Sequence, residues 1–439
     1  MPIIIPNIPK FVIFILNRLK AVDHQAYIVG GAVRDVFLKR IITDWDVATS
    51  APRDEIRTIF WDTKQFTLKH DTVTLVHTGH HFEVTTFRGE EKGLLSDLSQ
   101  RDFTINAMAF DPDNDEVIDP YGGESDIDKK VIRAVGDPEA RFREDPLRLL
   151  RGVRLATEFR FRIDAKTISG LRSMASLLAS VAPERIREEL MKILMAPKPS
   201  MAFNIMVRTG ILKEFLPELL EGYLKRQNQY HRYTIFKHIV ETVDHVKPEP
   251  ILRLTALLHD IAKPRTRIKR EGKWSFYGHE KESALLAEEI LNRLRFSNEL
   301  IKKVTNFIQH HMIGYDSGWS DTAVRRLIRR VGAQQINDLL TFRRADLLAH
   351  GLIDENFDLT GELEMRVNEQ IRHKAPTKRQ DLAVDGYVVM EITGLSPGPE
   401  VGSILRGLNE RVLDRPELNT REDLAALLRR IDCRDSGGR

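Results

Sequence analysis

Three short motifs near the N-terminus carry residue types that could handle a phosphate and a metal. Gly30-Gly31-Ala-Val-Arg34-Asp35 follows the apolar run Ala26–Val29 and opens a helical pattern. Paired glycines let backbone approach an anion closely, and helix N-terminal amides with Arg34 add donors and positive charge. A plain strand-to-helix turn needs the same residues. Asp44-Trp45-Asp46 comes next. In a strand, residues i and i+2 project to one face, so the two carboxylates converge. Convergent carboxylates suit Mg²⁺, a hard ion that takes oxygen ligands and leaves positions for substrate phosphates; a solvated strand end is the plainer alternative. Glu83, within Phe82–Phe87, is the candidate third carboxylate on a neighbouring strand, against a simple surface glutamate. In Arg101-Asp102-Phe-Thr-Ile-Asn106-Ala-Met108, Arg101 could clamp a triphosphate or ribose with Asp102 orienting it, unless the two form only a structural pair.

Such residues need a sheet to hold them. Ala26–Val29, Trp45–Ala48 and Phe82–Phe87 have β-branched or aromatic, near-alternating character. After about residue 140 strand signals nearly vanish. Helical spacing of apolar residues runs over Leu147–Phe159, Pro183–Leu194, Ile251–Ile261, Ser283–Leu294 and Thr322–Val331. The polar stretch Arg372–Asp381 reads as a linker. At 439 residues the chain has room for about three domains. With 42% hydrophobic and 30% charged residues, disorder and fibrous repeats are excluded. The net charge of +3 decides nothing about partners. A single cysteine, Cys433, excludes a disulfide framework and any multi-cysteine metal site, and fits a reducing cytoplasm. No apolar run approaches the roughly 18 residues that span a bilayer. Phe11–Leu16 is too short and lacks a small-residue cleavage site, so it reads as a core helix.

Taken in order, the Gly-Gly-x-Val-Arg-Asp, Asp-x-Asp and Arg-Asp-Phe-Thr-Ile-Asn-Ala-Met motifs resemble those of the class II tRNA nucleotidyltransferase and bacterial poly(A) polymerase family. Asp119-Pro-Tyr-Gly-Gly123 and Glu144-Asp145-Pro-Leu-Arg148 continue the pattern, and the motifs span about residues 27–195. Gln100 stands where many members carry a second Arg. The resemblance implies an α+β chain. A polymerase-beta-like head with a mixed or antiparallel sheet (1–140) precedes an all-α neck with a base-reading helix (141–200), a helical body (201–371) and a tRNA-binding tail (372–439). It implies attack by an RNA 3′-hydroxyl on the α-phosphate of a nucleoside triphosphate. Two Mg²⁺ ions held by Asp44 and Asp46 would assist, and tRNA, CTP and ATP become the expected partners.

Asp145 and Arg148, at i and i+3, would share a helix face. The carboxylate can accept from an exocyclic amino group and the guanidinium can donate to the adjacent ring nitrogen. Cytosine and adenine match that pair, whereas uracil and guanine present a carbonyl and a ring N–H. Arg151 and Arg154 continue the stripe and could reach the triphosphate; a salt-bridged surface helix is the alternative. In family members that add CCA, a long segment usually separates Thr-Thr-Phe-Arg from Arg-Asp-Phe and is associated with switching the pocket from CTP to ATP. Here only Gly89–Gln100 lie between Arg88 and Arg101. That shortness resembles the CC-adding subgroup, with full CCA addition as the alternative and A addition or poly(A) synthesis behind it.

Leu257-Leu-His259-Asp260-Ile-Ala-Lys-Pro264 and Phe276-Tyr-Gly-His279-Glu280 resemble an HD phosphohydrolase domain. The resemblance implies His238, His259, Asp260 and Asp346 as ligands of one divalent metal. His279 and His310 or His311 would hold a second metal or the phosphate. Imidazole with carboxylate suits Mn, Ni, Fe, Co or Zn more than Mg. This site opens a rival reading, in which hydrolysis of terminal or cyclic RNA phosphates is the main activity and the head only binds RNA ends. Arg325-Arg326-Leu-Ile-Arg329-Arg330 could contact RNA phosphates or form a solvated face. Gly394–Gly402, with Pro397-Gly398-Pro399, resembles the family's tail motif, which helps grip the tRNA elbow.

Overall fold

The structure is a computed structural model that describes residues 8–67, 72–89, 93–229, 231–351, 359–372 and 379–435, with Arg379 and 431–435 by backbone alone. The Cys433 side chain, residues 90–92 of the short head segment and residues 373–378 of the expected linker lie outside the described residues. The chain forms two compact units, dividing after Leu220.

The first unit opens with a helix, Lys10–Lys20, that buries Val12, Ile15, Leu16 and Leu19. That spacing is one apolar stripe of a 3.6-residue period. Seven strands follow in a mixed sheet: β1 (Ala26–Val29), β2 (Asp46–Thr49), β3 (Lys64–Thr67), β4 (Thr72–His77), β5 (His80–Thr86), β6 (Ala109–Asp111) and β7 (Glu116–Ile118). Their order is β3-β4-β5-β2-β1-β6-β7. Only β2 and β5 run parallel; the other pairs are antiparallel. Register explains why distant motifs meet. Val29, the last residue of β1, faces Asp46, the first of β2, and Asp46 faces Glu83 on β5. The glycine turn after β1 therefore lies beside the carboxylate that starts β2.

Beyond the sheet the unit is helical apart from a short parallel strand pair, Val131–Ile132 with Arg162–Ile163. Pro138–Glu144 starts on Asp137, whose side chain accepts from Ala140 N. Arg148–Phe159 is closed by Arg160 in the left-handed region, and Pro183–Leu194 begins with Pro at its first turn. The Arg148–Phe159 helix can dock closely because Gly152 faces Phe103, whose ring a Cβ would approach to 2.9 Å. Ser200–Thr209 packs on Arg148–Phe159 and Ala165–Ser173, and Ile211–Phe215 packs on Ala175–Ser180. These contacts place the helices through Leu220 within the first compact unit.

Among the described residues the second unit is built from helices and one short hairpin. Ile235–His245, Pro250–Leu258, His279–Arg293, Asn298–His310 and Ile336–Leu348 form its body. The C-terminal helices Gly386–Thr393, Pro399–Asp414 and Arg421–Asp435 share an apolar core that includes Val389, Val401, Leu405, Leu408 and Leu428. The arginine-rich helix Asp321–Val331 is not a free basic face. Arg325 is buried and donates to Leu413 O at 2.7 Å and Gln370 Oε1 at 2.8 Å, while Arg326 and Arg329 pair with Asp414 and Glu410. Three of its arginines hold the Pro399–Asp414 helix, because that helix presents carboxylates and C-terminal carbonyls to them. Among the described residues no helix is long and apolar enough to cross a membrane.

Candidate active site and metal centre

At the end of β1, Gly30 has φ 72° and ψ −125°, a conformation open essentially to glycine. A Cβ there would lie 2.6 Å from Arg101 Nη1 and 3.8 Å from Asp46 Oδ2. Turn, guanidinium and carboxylate thus share one small space. Gly30→Ala is expected to cost about 1–2 kcal/mol from backbone strain and to displace Arg101. A lower melting temperature together with weaker nucleotide binding checks this.

Strand β2 begins at Asp46, so Asp44 approaches from the preceding loop and not from the strand itself. The two carboxylates still act on each other. Burial first, and then Asp44, push the Asp46 carboxyl above the usual range against the pull of Arg101. Glu83 is raised in the same way, by loss of solvent and by Asp46 and Asp44, although its tip stays open. Asp46 and Glu83, paired across β2 and β5, disfavour each other's charge, as carboxylates beside a cation site do.

Arginines surround the carboxylates. Arg101 is oriented by Asp97, fully buried on the helix Leu94–Ser99, at 2.9 Å. Asp102 does not orient it. Its carboxylate accepts from Phe103 N and Asn106 Nδ2 and lies 3.0 Å from Arg151 Nη2. Burial would raise the Asp102 carboxyl, but Arg151 and these donors hold it low. Arg88, which the motif reading did not assign, closes the cluster. Lost solvent and then the charge of Arg101, Arg148 and Arg151 lower its pKa, although its tip reaches water. Cations held together against their own repulsion make an anion site. Arg34 is turned to protein partners: Nε to Asp35 Oδ1 at 3.0 Å, Nη1 to Asn106 Oδ1 at 2.6 Å, and stacking on Phe159 at 4.9 Å. Asp35 is its ion-pair partner. Arg34 and Asp35 therefore brace the turn, and Gly31 opens the helix Gly31–Phe37.

The Asp145–Arg148 pair also differs from the sequence expectation. Asp145 has extended backbone and precedes the Arg148–Phe159 helix, so the pair does not share a helix face. Its carboxylate receives both Nη atoms of Arg185, at 3.1 and 2.9 Å. Arg148 donates to Gln100 O at 2.8 Å and Glu144 Oε2 at 2.9 Å. Arg154 faces away from this group, pairing with Glu189 at 2.7 Å and Glu158 at 3.0 Å. Arg185 and Glu189 are one turn apart on Pro183–Leu194, which the motifs did not single out.

In the second unit the helical histidines converge. His238 Nε2 lies 3.2 Å from His259 Nε2, 3.2 Å from Asp260 Oδ2 and 3.1 Å from Asp346 Oδ1. His259 Nε2 lies 3.1 and 3.3 Å from the same two oxygens. Ligands at about 2.1 Å from one ion stand about 3.0–3.4 Å apart, so His238, His259 and Asp260 fit a shared divalent metal, with Asp346 Oδ1 at a similar distance from both imidazoles. Each ring is oriented from behind: Nδ1 of His238 and His259 faces Ala349 O and Ala256 O. His279 and His311 reach the other Asp260 oxygen at 3.3 and 3.7 Å, with their Nδ1 atoms on Phe276 O and Ile308 O. His310 is not the partner of His279. One residue earlier on the helix, its Nδ1 faces Asn306 O. Burial opposes charge on His259, yet Asp260 and Asp346 raise it to about 9. The carboxylates thus draw a proton where a cation fits.

The head geometry and the HD-type centre fit a nucleotidyltransferase with a polymerase-type head and a helical domain that gathers candidate metal ligands. Residues 26–133 match the poly A polymerase head domain, residues 160–222 the probable RNA and SrmB-binding site of polymerase A, and residues 230–350 the HD domain. The CCA-adding enzyme of Streptococcus thermophilus is 30% identical over 430 residues, covering 94% of this chain and 95% of that one. That of Levilactobacillus brevis is 32% identical over 429 residues, with 94% and 95% covered. The Bacillus stearothermophilus CCA-adding enzyme in complex with CTP superposes with a TM-score of 0.74 at 27% identity, over 98% of this chain and 100% of that chain. The chain belongs to the CCA-adding enzyme family and is a tRNA nucleotidyltransferase.

Proposed function

We propose that the chain extends the 3′ end of tRNA without a nucleic acid template, adding two cytidines from CTP. The observation that carries this reading is the placement of Asp46 opposite Glu83 on neighbouring strands and beside the Gly30 turn and Arg101. Asp44 and Asp46 would hold Mg²⁺, with Glu83 beside them. Bound there, Mg²⁺ supplies charge stabilisation to the attacking 3′-oxygen and the departing pyrophosphate. Arg88, Arg101 and Arg151 bind the triphosphate, and the turn after β1 gives its oxygens backbone to approach. Pre-set charges of this kind stabilise a transition state without reorganising. The HD centre is assigned a divalent transition metal on His238, His259, Asp260 and Asp346.

Base choice is assigned to Asp145 and Arg148. Arg185 keeps Asp145 ionised and fixed, so its oxygens can accept only from an amino group. Burial opposes that charge, but Arg185 and Leu147 N lower the carboxyl. Arg148 is anchored to Gln100 O, one residue from Arg101, which ties base reading to the triphosphate clamp. Asp145→Ala is expected to reduce discrimination of C against U by roughly 5–150-fold, the worth of one unpaired buried group at about 1–3 kcal/mol. Competing CTP and UTP incorporation reads this out; unchanged selectivity would remove Asp145 from the role.

Two-cytidine addition is supported by the twelve-residue Gly89–Gln100 connection (100 − 89 + 1). The names of the relatives favour full CCA addition, the second reading. A tRNA that ends before CCA, supplied with CTP and ATP, separates them by product length.

A further inference from the structure

In-line transfer puts the attacking oxygen and the departing pyrophosphate on opposite sides of the α-phosphorus. The strand order tells the two sides apart. The Gly30 turn and Arg101, which take the triphosphate in the reading above, stand on the β1 side of Asp46. The RNA that supplies the attacking oxygen then comes from the other side, across β5, β4 and β3.

Register specifies what that RNA meets. Residues paired across neighbouring strands share one face of a sheet. Asp46 pairs with Glu83, Glu83 with Thr74 and Thr74 with Phe66, so a single row leads from the carboxylates to the edge strand. At about 4.8 Å between strands, Phe66 stands about 14 Å from Asp46. The next row on this face holds His81, two residues before Glu83, and Lys64, two before Phe66. The Phe66 and His81 rings meet at 85° with centroids 5.8 Å apart, as residues on one face can. His81 and Lys64 are exposed. Phe66 is 43% exposed in an otherwise polar edge strand, Lys64-Gln-Phe-Thr67, so the core does not account for it. An aromatic ring left in water, with a second ring against it and a lysine two residues away, is a platform on which an unpaired base stacks.

We infer that Phe66 is a substrate-binding residue of the head: the unpaired base that precedes the reacting 3′-terminal nucleotide of the tRNA stacks on its ring, and Lys64 meets the adjoining backbone phosphate. The terminal nucleotide itself lies over Glu83, nearer the carboxylates. The inference rests on nucleotidyl transfer at the head and deepens it by naming how the RNA end is held.

The test is addition of the second cytidine by the full chain, with Mg²⁺ and CTP, to a tRNA that already ends in the first. A second substrate is the same tRNA with an abasic nucleotide just before its terminal cytidine. Phe66→Ala is expected to lower kcat/KM for the intact tRNA by roughly 5–150-fold, the effect of losing one base–aromatic stack, with KM for CTP unchanged. Phe66→Tyr should keep the wild-type value. The abasic tRNA should be a poorer substrate for the wild type by a similar factor, and Phe66→Ala should make it no worse. Unchanged kcat/KM for the intact tRNA in Phe66→Ala, or losses from the substitution and the abasic site that multiply, overturns the stacking role alone. So does a loss that Phe66→Tyr shares and that raises KM for CTP in parallel, which marks a structural residue. Failure of the wild type to add cytidine overturns the stacking role and the reading of the head together.

Discussion

Asp46→Ala is expected to lower tRNA extension by about a thousandfold or more. A cation-binding carboxylate at a phosphoryl-transfer centre accounts for several kcal/mol of barrier, and each 1.36 kcal/mol is about tenfold in rate. The same substitution should not destabilise the head. Burial and the charge of Asp44 disfavour the Asp46 carboxylate, so its removal relieves an unfavourable charge. A melting temperature unchanged or raised, alongside lost extension, separates a catalytic role from a structural one. A variant that melts earlier and extends tRNA in proportion to its folded fraction would point to structure only.

The second large effect belongs to the other unit. Asp260→Ala should weaken transition-metal binding by more than about 100-fold, since even outer-shell partners of a metal ligand account for about 10–100-fold. Nucleotide addition should persist. In the metal-free protein the variant should be less stable by about 3–5 kcal/mol, because Lys263, itself buried, loses the carboxylate 2.6 Å away. The wild type has a related pH signature. His259 is raised from 6.5 to about 9 in the folded chain. The stability this brings is complete below 6.5 and is lost as pH rises through about 9. Metal-free protein should therefore melt earlier at the alkaline end of that window, and metal should cancel the dependence by replacing the proton.

Local patterns were legible in the sequence wherever a short span determines the structure. Apolar spacing placed the helix Pro183–Leu194 and, within a residue, Arg148–Phe159. The glycine turn and the mixed-sheet head followed from motif order. Pairings across the fold were not legible. Arg101 and Asp102 adjoin in sequence but serve different partners, Asp97 and Arg151. Asp97 lies one helical turn before Arg101 and could have been suspected from the i, i+4 spacing. The Arg151–Asp102 and Arg185–Asp145 contacts depend on how the helices dock, which no local spacing encodes. Asp145 was expected on a helix, yet Pro146 follows it and biases the preceding residue to extended backbone. The choice between His310 and His311 turned on about 100° of helix rotation, set by packing. The arginines of Asp321–Val331 looked free because the carboxylates they meet lie some eighty residues away.

The most direct measurement of the central claim is product length. Purified chain is incubated with Mg²⁺, CTP, ATP and a tRNA that ends before CCA, in parallel with Asp46→Ala. The expected result is addition of two cytidines, then arrest, by the wild type and no addition by the variant. Failure of the wild type to extend the tRNA, or extension by Asp46→Ala at the wild-type rate, would contradict nucleotidyl transfer at the head.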